Sequence, residues 1–190
     1  PDFRAVGAAG PGIPGIAVGR TSHVALGVTN AYADVVDLFI ETEDPNQPGH
    51  YLEGDRSYPF GIIEETVRVR RRPGGREFRD VPLRIRLTRR GPVISDHGMG
   101  VAAGRLLSMR WSAIEAMQAD TGAFALFTAR DVAAAREAIG RSTAPYNYVI
   151  ADTAGNIGHA TGGRVPVRRR GDGSRPVPVT DGTDAWDGFI

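Results

Sequence analysis

The chain has 190 residues, 41% hydrophobic and 24% charged, with a net charge of +1 at neutral pH and no cysteine. A chain of this length buries a substantial apolar core without crosslinks, and the lack of cysteine excludes disulfide and thiol chemistry. All 23 basic residues are arginine, yet the near-neutral balance speaks against a polyanion binder. No apolar run approaches the roughly 18 residues of a membrane helix, so neither nucleic acid nor membrane is an expected partner.

In chain order, residues 1 to 22 are rich in Gly, Pro and Ala. Apolar strands are expected at Ile16–Val18 and Val24–Val28, split by a polar turn at Gly19–Ser22. A strand at Val36–Glu41 follows the polar corner "TNAYAD", and "ETEDPNQPGH" reads as a loop. Strict alternation in Val67–Arg70 and Leu83–Leu87 predicts antiparallel strands with one wet face, turned by "RPGG". The arginines there suit a solvated face; a nucleic-acid surface would also need interleaved aromatic side chains, and these are lacking. "LLSMRWSAIEA" reads as a strand running into a loop. "TARDVAAAREAIGR" reads as a helix, with Thr128 or Asp131 capping its start and Gly140 ending it. A hairpin follows through "YNYVIADTAGNIGHAT", with Gly155 at a positive-φ turn position, and then a Pro/Gly-rich tail. There is no internal repeat. The expected class is α+β, mainly antiparallel sheet, in one domain over residues 1–190.

Few residues suggest chemistry directly. The four histidines (His23, His50, His97, His159) are scattered and lack partners at metal-ligand spacing. Asp34 and Asp37, with the Val36 carbonyl between them, are hard oxygen ligands at a spacing that suits calcium; capping a turn ahead of the strand is the simpler reading. Ser108, Ser112 and Ser142 lack the nucleophile-elbow pattern. Asn147 opens an apolar strand. Its amide is either a donor that stabilises a developing oxyanion or a partner for turn backbone groups after Pro145. These residues alone do not define a reaction.

Taken together, "PGIPGIAVGRTSHVALGVTNAYADVVDLFIE", "RRGPVIS", "MRWSA" and "YNYVIADTAGNIGHATGGRVPVR" resemble, in order, the β chain of the penicillin amidase family of N-terminal-nucleophile (Ntn) hydrolases. The resemblance runs along nearly the whole chain and implies part of an αββα sandwich. It implies amide hydrolysis through an acyl-enzyme, on a small N-acyl substrate such as a β-lactam side chain or an acyl-homoserine lactone. By the same resemblance the oxyanion hole falls on the Asn147 side chain and the Asn30 backbone N–H. Arg168, with Arg164 as fallback, would orient the Asn147 amide. Ala17, Val18 and Val28 would line the acyl pocket. Asp34, the Val36 carbonyl and Asp37 would bind a structural Ca2+, completed by ligands elsewhere, with Asp152 a further candidate.

The family's nucleophile is a Ser, less often Thr or Cys, at the start of the β chain, where its own α-amine serves as base. It is expected some tens of residues upstream of Pro1. The chain is therefore expected to be an internal piece, inactive alone, whose partners are the missing α chain and the rest of the β chain. Export to the periplasm or medium is expected from the same resemblance. The family often has His before "GPV", where this chain has Arg90. The alternative is a non-catalytic binding module that retains the fold.

Overall fold

The computed structural model describes residues 3–12, 15–98, 104–115, 121–179 and 186–190. Strands β1 (Ala5–Ala8), β2 (Val18–Thr21) and β3 (Val24–Asn30) come first. There follow β4 (Val36–Glu41), β5 (His50–Glu53), β6 (Arg56–Pro59), β7 (Gly61–Arg70), β8 (Phe78–Thr88), β9 (Gly91–Pro92) and β10 (Leu106–Trp111). Helices α1 (Ser112–Glu115), α2 (Ala123–Thr128) and α3 (Val132–Ile139) precede β11 (Tyr146–Asp152) and β12 (Ile157–Thr161). The last strands are β13 (Pro166–Arg168), β14 (Val177–Pro178) and β15 (Trp186–Phe189). Among the described residues no helix is long and apolar enough to cross a membrane.

Two compact units are present: Pro1–Val35, Ser112–Val167 and Gly188–Ile190 form the first, Val36–Trp111 and Arg168–Asp187 the second. In the first, five antiparallel strands are ordered β1-β2-β3-β11-β12. Strand alternation sends Val24 and Leu26, with Ile150 opposite Leu26, to one face, where they form a buried cluster with Leu126, Ala135, Ala138 and Ile139 of α2 and α3. Each Val, Leu or Ile side chain among them contributes about 1.5–3 kcal/mol by leaving water. Asp131 caps α3 by accepting from the Ala134 N–H at 2.8 Å. Thr128 instead closes α2, its hydroxyl bonding back to the Phe124 carbonyl at 3.0 Å.

The expected first strand lies two residues later, at β2, and runs through the expected turn at Gly19. A Cβ on Gly19 would lie 2.3 Å from the Val6 carbonyl oxygen, so glycine lets β1 approach β2. The turn comes at Ser22–His23, where Thr21 Oγ1 accepts from the N–H groups of His23 and Val24, both at 3.2 Å.

In the second unit β4 lies between antiparallel β10 and parallel β14. Its observed bounds match the expected ones, and Asp37, Phe39 and Glu41 alternate inward. β7 and β8 extend the two expected strands into one hairpin from Gly61↔Leu87 to Arg70↔Phe78. On β8 the half-buried Val81, Leu83 and Ile85 alternate with exposed Asp80, Pro82 and Arg84, as expected of one wet face, whereas β7 is exposed nearly throughout, Ile62, Ile63 and Val67 included.

Candidate functional site

The β11–β12 turn brings the first group into position. Gly155 takes φ +90° at its tip. The Asp152 carboxylate accepts from the N–H groups of Ala154 and Asn156, from the Asn156 side chain at 3.0 Å, and from the N–H of Val132 at 3.2 Å. These bonds, the Asn156 side chain foremost, hold the Asp152 carboxyl below its ordinary 3.8. Asp152 is thus committed to the turn and to the start of α3.

The turn fixes the register, so Asn147 stands opposite Thr161 on one side and Thr29 on the other. Its side chain leaves the sheet on the face opposite Leu26 and Ile150, alongside the exposed Val149. Its amide oxygen accepts from Thr161 Oγ1 at 2.8 Å. An oxygen fixed by an O–H donor leaves the NH2 end of the amide, two donors, turned away from Thr161. Thr161 is a residue the sequence reading missed. Counting outward from the hairpin turn would have found it, since Ala151↔Ile157 requires Asn147↔Thr161.

Asn30 lies one step from Thr29 at the end of β3. The Ala31 N–H donates to the Pro145 carbonyl at 2.9 Å. In an antiparallel pair bonded and non-bonded positions alternate, so the neighbouring Asn30↔Tyr146 pair leaves the Asn30 N–H outside the β11 ladder. Two residues on, Tyr32 holds φ 52° with its side chain 90% exposed. That left-handed conformation costs a non-glycine residue about 1–2 kcal/mol, so the corner carries backbone strain.

On the helix side of the same sheet, Ala17 and Val28 line a cavity of about 410 Å³ with Leu126, Ile139, Tyr146 and Tyr148. Burial pushes the Tyr148 phenol above its ordinary 10.0, so at neutral pH it is an uncharged donor. Val18 is 38% exposed and is not part of this lining. Ala17 and Val28 thus share a cavity, on the face of the sheet away from the Asn147 side chain.

Arg168 is bonded within its own unit. Its Nε donates to both oxygens of Asp37, at 3.0 and 2.9 Å, and Trp186 Nε1 donates to Asp37 Oδ2 at 2.7 Å. Arg169 pairs with Asp187, and Arg170 is exposed. The described partner of Arg168 is Asp37 of its own unit, and the described partner of the Asn147 amide oxygen is Thr161.

The same bonds test the calcium corner. Calcium takes six to eight oxygen ligands and rests on uncompensated carboxylates. Asp37 is 4% exposed, and both its oxygens are already neutralised by a guanidinium. Asp34 is exposed. Among the described residues no group of three or more His, Asp or Glu side chains could hold a metal ion. The residues as arranged do not fit the ion.

The penicillin amidase family model matches residues 1–190. The chain belongs to the penicillin amidase family. A penicillin acylase 2 proenzyme from a Pseudomonas species is 32% identical over 194 residues, covering 99% of this chain and 23% of the relative. The acyl-homoserine lactone acylase QuiP of Pseudomonas fluorescens is also 32% identical, covering 100% and 23%. The chain thus spans about a quarter of the length of these penicillin amidase relatives. A solved thermostable penicillin G acylase from Alcaligenes faecalis superposes with a TM-score of 0.76 at 22% identity, over 100% of this chain and 35% of that one. The mainly antiparallel α+β architecture is therefore that of the penicillin acylase Ntn fold.

Within this family member, Arg90 sits where a histidine was expected, and it is wholly buried. It pairs with Glu41 at 3.1 Å and with Glu53 at 2.6 and 3.0 Å. Thr88 and Ser108 donate to the same Glu41 oxygen at 2.8 and 2.6 Å. Arg90 is thus the centre of a buried charge network between strands β4, β5 and β8, rather than an edge substitution.

Proposed function

We propose that the chain is the oxyanion-hole portion of an amidohydrolase that cleaves N-acyl compounds through an acyl-enzyme. The observation that carries this reading is the pairing of Asn147, its amide oxygen held by Thr161, with a neighbouring strand end whose Asn30 N–H stays outside the ladder. Attack on an amide carbonyl turns its oxygen into an anion. Two donors already aimed at it stabilise that charge without reorganising at the moment of reaction. Asn147 Nδ2–H and the Asn30 N–H would fill those roles, with the oxygen above the corner at the end of β3. The cavity lined by Ala17 and Val28 lies on the helix side of the sheet, away from the Asn147 side chain, and is no part of this reading.

Names of the relatives support amide substrates: penicillin acylases and acyl-homoserine lactone acylases. In this reading the nucleophile, with its α-amine as base, comes from a part of the parent protein outside these 190 residues. The 190-residue chain alone is then inactive, and the α chain and the rest of the β chain are its partners. The parent acts in the periplasm or medium.

The test is kinetic. In the full-length parent, Asn147→Ala lowers kcat by about 10²–10³ with the fold unchanged by circular dichroism, the usual effect of losing one oxyanion donor. Turnover retained within a few-fold would dismiss the role of Asn147.

A further inference from the structure

We propose that the Asp37 carboxylate of β4 is held by an internal guanidinium, Arg168, in place of a divalent cation. The inference rests on Asp37, Arg168, Trp186 and Arg110, all of the second unit, and is independent of the oxyanion reading.

The Asp37 carboxylate points inward from β4 between Arg168 and Trp186. Arg168 Nε reaches both oxygens, and the indole N–H of Trp186 takes a further lone pair of Oδ2. Trp186 is itself 8% exposed, and the Arg110 guanidinium stacks 4.2 Å from its ring centre. The buried anion thus has one positive charge and one neutral donor on it, with a second cation behind the ring. A paired charge and hydrogen bonds of this kind are what let a carboxylate stay ionised when buried.

A divalent ion on either oxygen would have to sit beside the Arg168 guanidinium, positive charge against positive charge in a poorly solvated site. It would also have to displace bonds that already satisfy the group. Guanidinium and cation are therefore alternatives at Asp37, and this chain uses the guanidinium. The arrangement also explains the sequence spacing: Asp37, Phe39 and Glu41 alternate inward, so Asp37 belongs to the strand's inner row. Asp34 lies ahead of the strand and is exposed.

The test compares metal content and thermal stability in the full-length parent. The protein is purified in calcium, desalted, and its bound calcium is counted by atomic emission for wild type, Asp37→Asn and Asp34→Asn. Equal calcium per protein in all three is expected, together with a Tm that excess chelator does not move in a way that depends on Asp34 or Asp37. Loss of one equivalent in either variant would overturn the proposal. Asp34 is exposed, so that variant keeps the test decisive if Asp37→Asn does not fold. In Arg168→Met the freed carboxylate should gain a calcium-dependent rise in Tm that wild type lacks. A calcium-dependent rise in wild type that Asp37→Asn or Asp34→Asn abolishes would also overturn it.

Discussion

Thr161 Oγ1 donates to Asn147 Oδ1 at 2.8 Å across the β11–β12 pair. The bond ties an amide at the head of one strand to a hydroxyl at the end of the next. It selects which end of the amide faces outward.

Thr161→Val should therefore lower kcat of the full-length parent about tenfold, the equivalent of the roughly 1–1.5 kcal/mol a neutral hydrogen bond is worth. KM and Tm should barely change, and Thr161→Ser should restore the rate. A rise in KM at unchanged kcat would mean that the hydroxyl serves binding and not amide orientation. Measured beside Asn147→Ala, the variant separates failure of the positioning role from failure of the oxyanion role.

Arg90 is the position where burial makes the sharpest stability statement. Its side chain and that of Glu41 are both 0% exposed. Removing the cation leaves a buried carboxylate uncompensated, which costs about 3–5 kcal/mol. Arg90→Met should lower the stability of the parent by that order in denaturant unfolding. Adding Glu41→Gln should recover part of the loss, since the stranded charge is then gone. A single variant as stable as wild type would mean that the network contributes nothing net.

Asp152 ties stability to acid pH. The Asn156 side chain, then backbone N–H groups, lower its carboxyl below the ordinary 3.8. A group whose folded pKa is depressed adds stability that is present above the unfolded value and is lost as pH falls through the folded one. Asp152→Asn should lower Tm at pH 7, and the gap from wild type should shrink as the pH drops below about 4. A gap that stays constant from pH 6 to pH 3 would mean the bonds do not depend on the charge.

How much of this was legible in the sequence depends on distance along the chain. Inward alternation in Val36–Glu41, the Asp131 cap and the Gly155 turn are local signals, and each appears where its residues put it. α2 was missed because it begins at Gly122 with no side-chain cap, so nothing in "GAFALFT" announces a start. The strand at Val18–Thr21 was displaced because Gly19, read as a turn former, instead lets two backbones approach. The Asp37–Arg168 pair joins residues 131 apart, and no local pattern could choose that arginine for that acid. Asn147 and Asn30 came from family resemblance. The register between them came only from the structure.

The most direct measurement of the central claim is a crystal structure of the full-length parent with an acyl-mimicking boronic acid bound to its nucleophile. The account predicts a tetrahedral adduct with one oxygen about 2.7–3.1 Å from both Asn147 Nδ2 and the Asn30 backbone nitrogen. An adduct oxygen held by other donors, with either of these two groups out of reach, would contradict it.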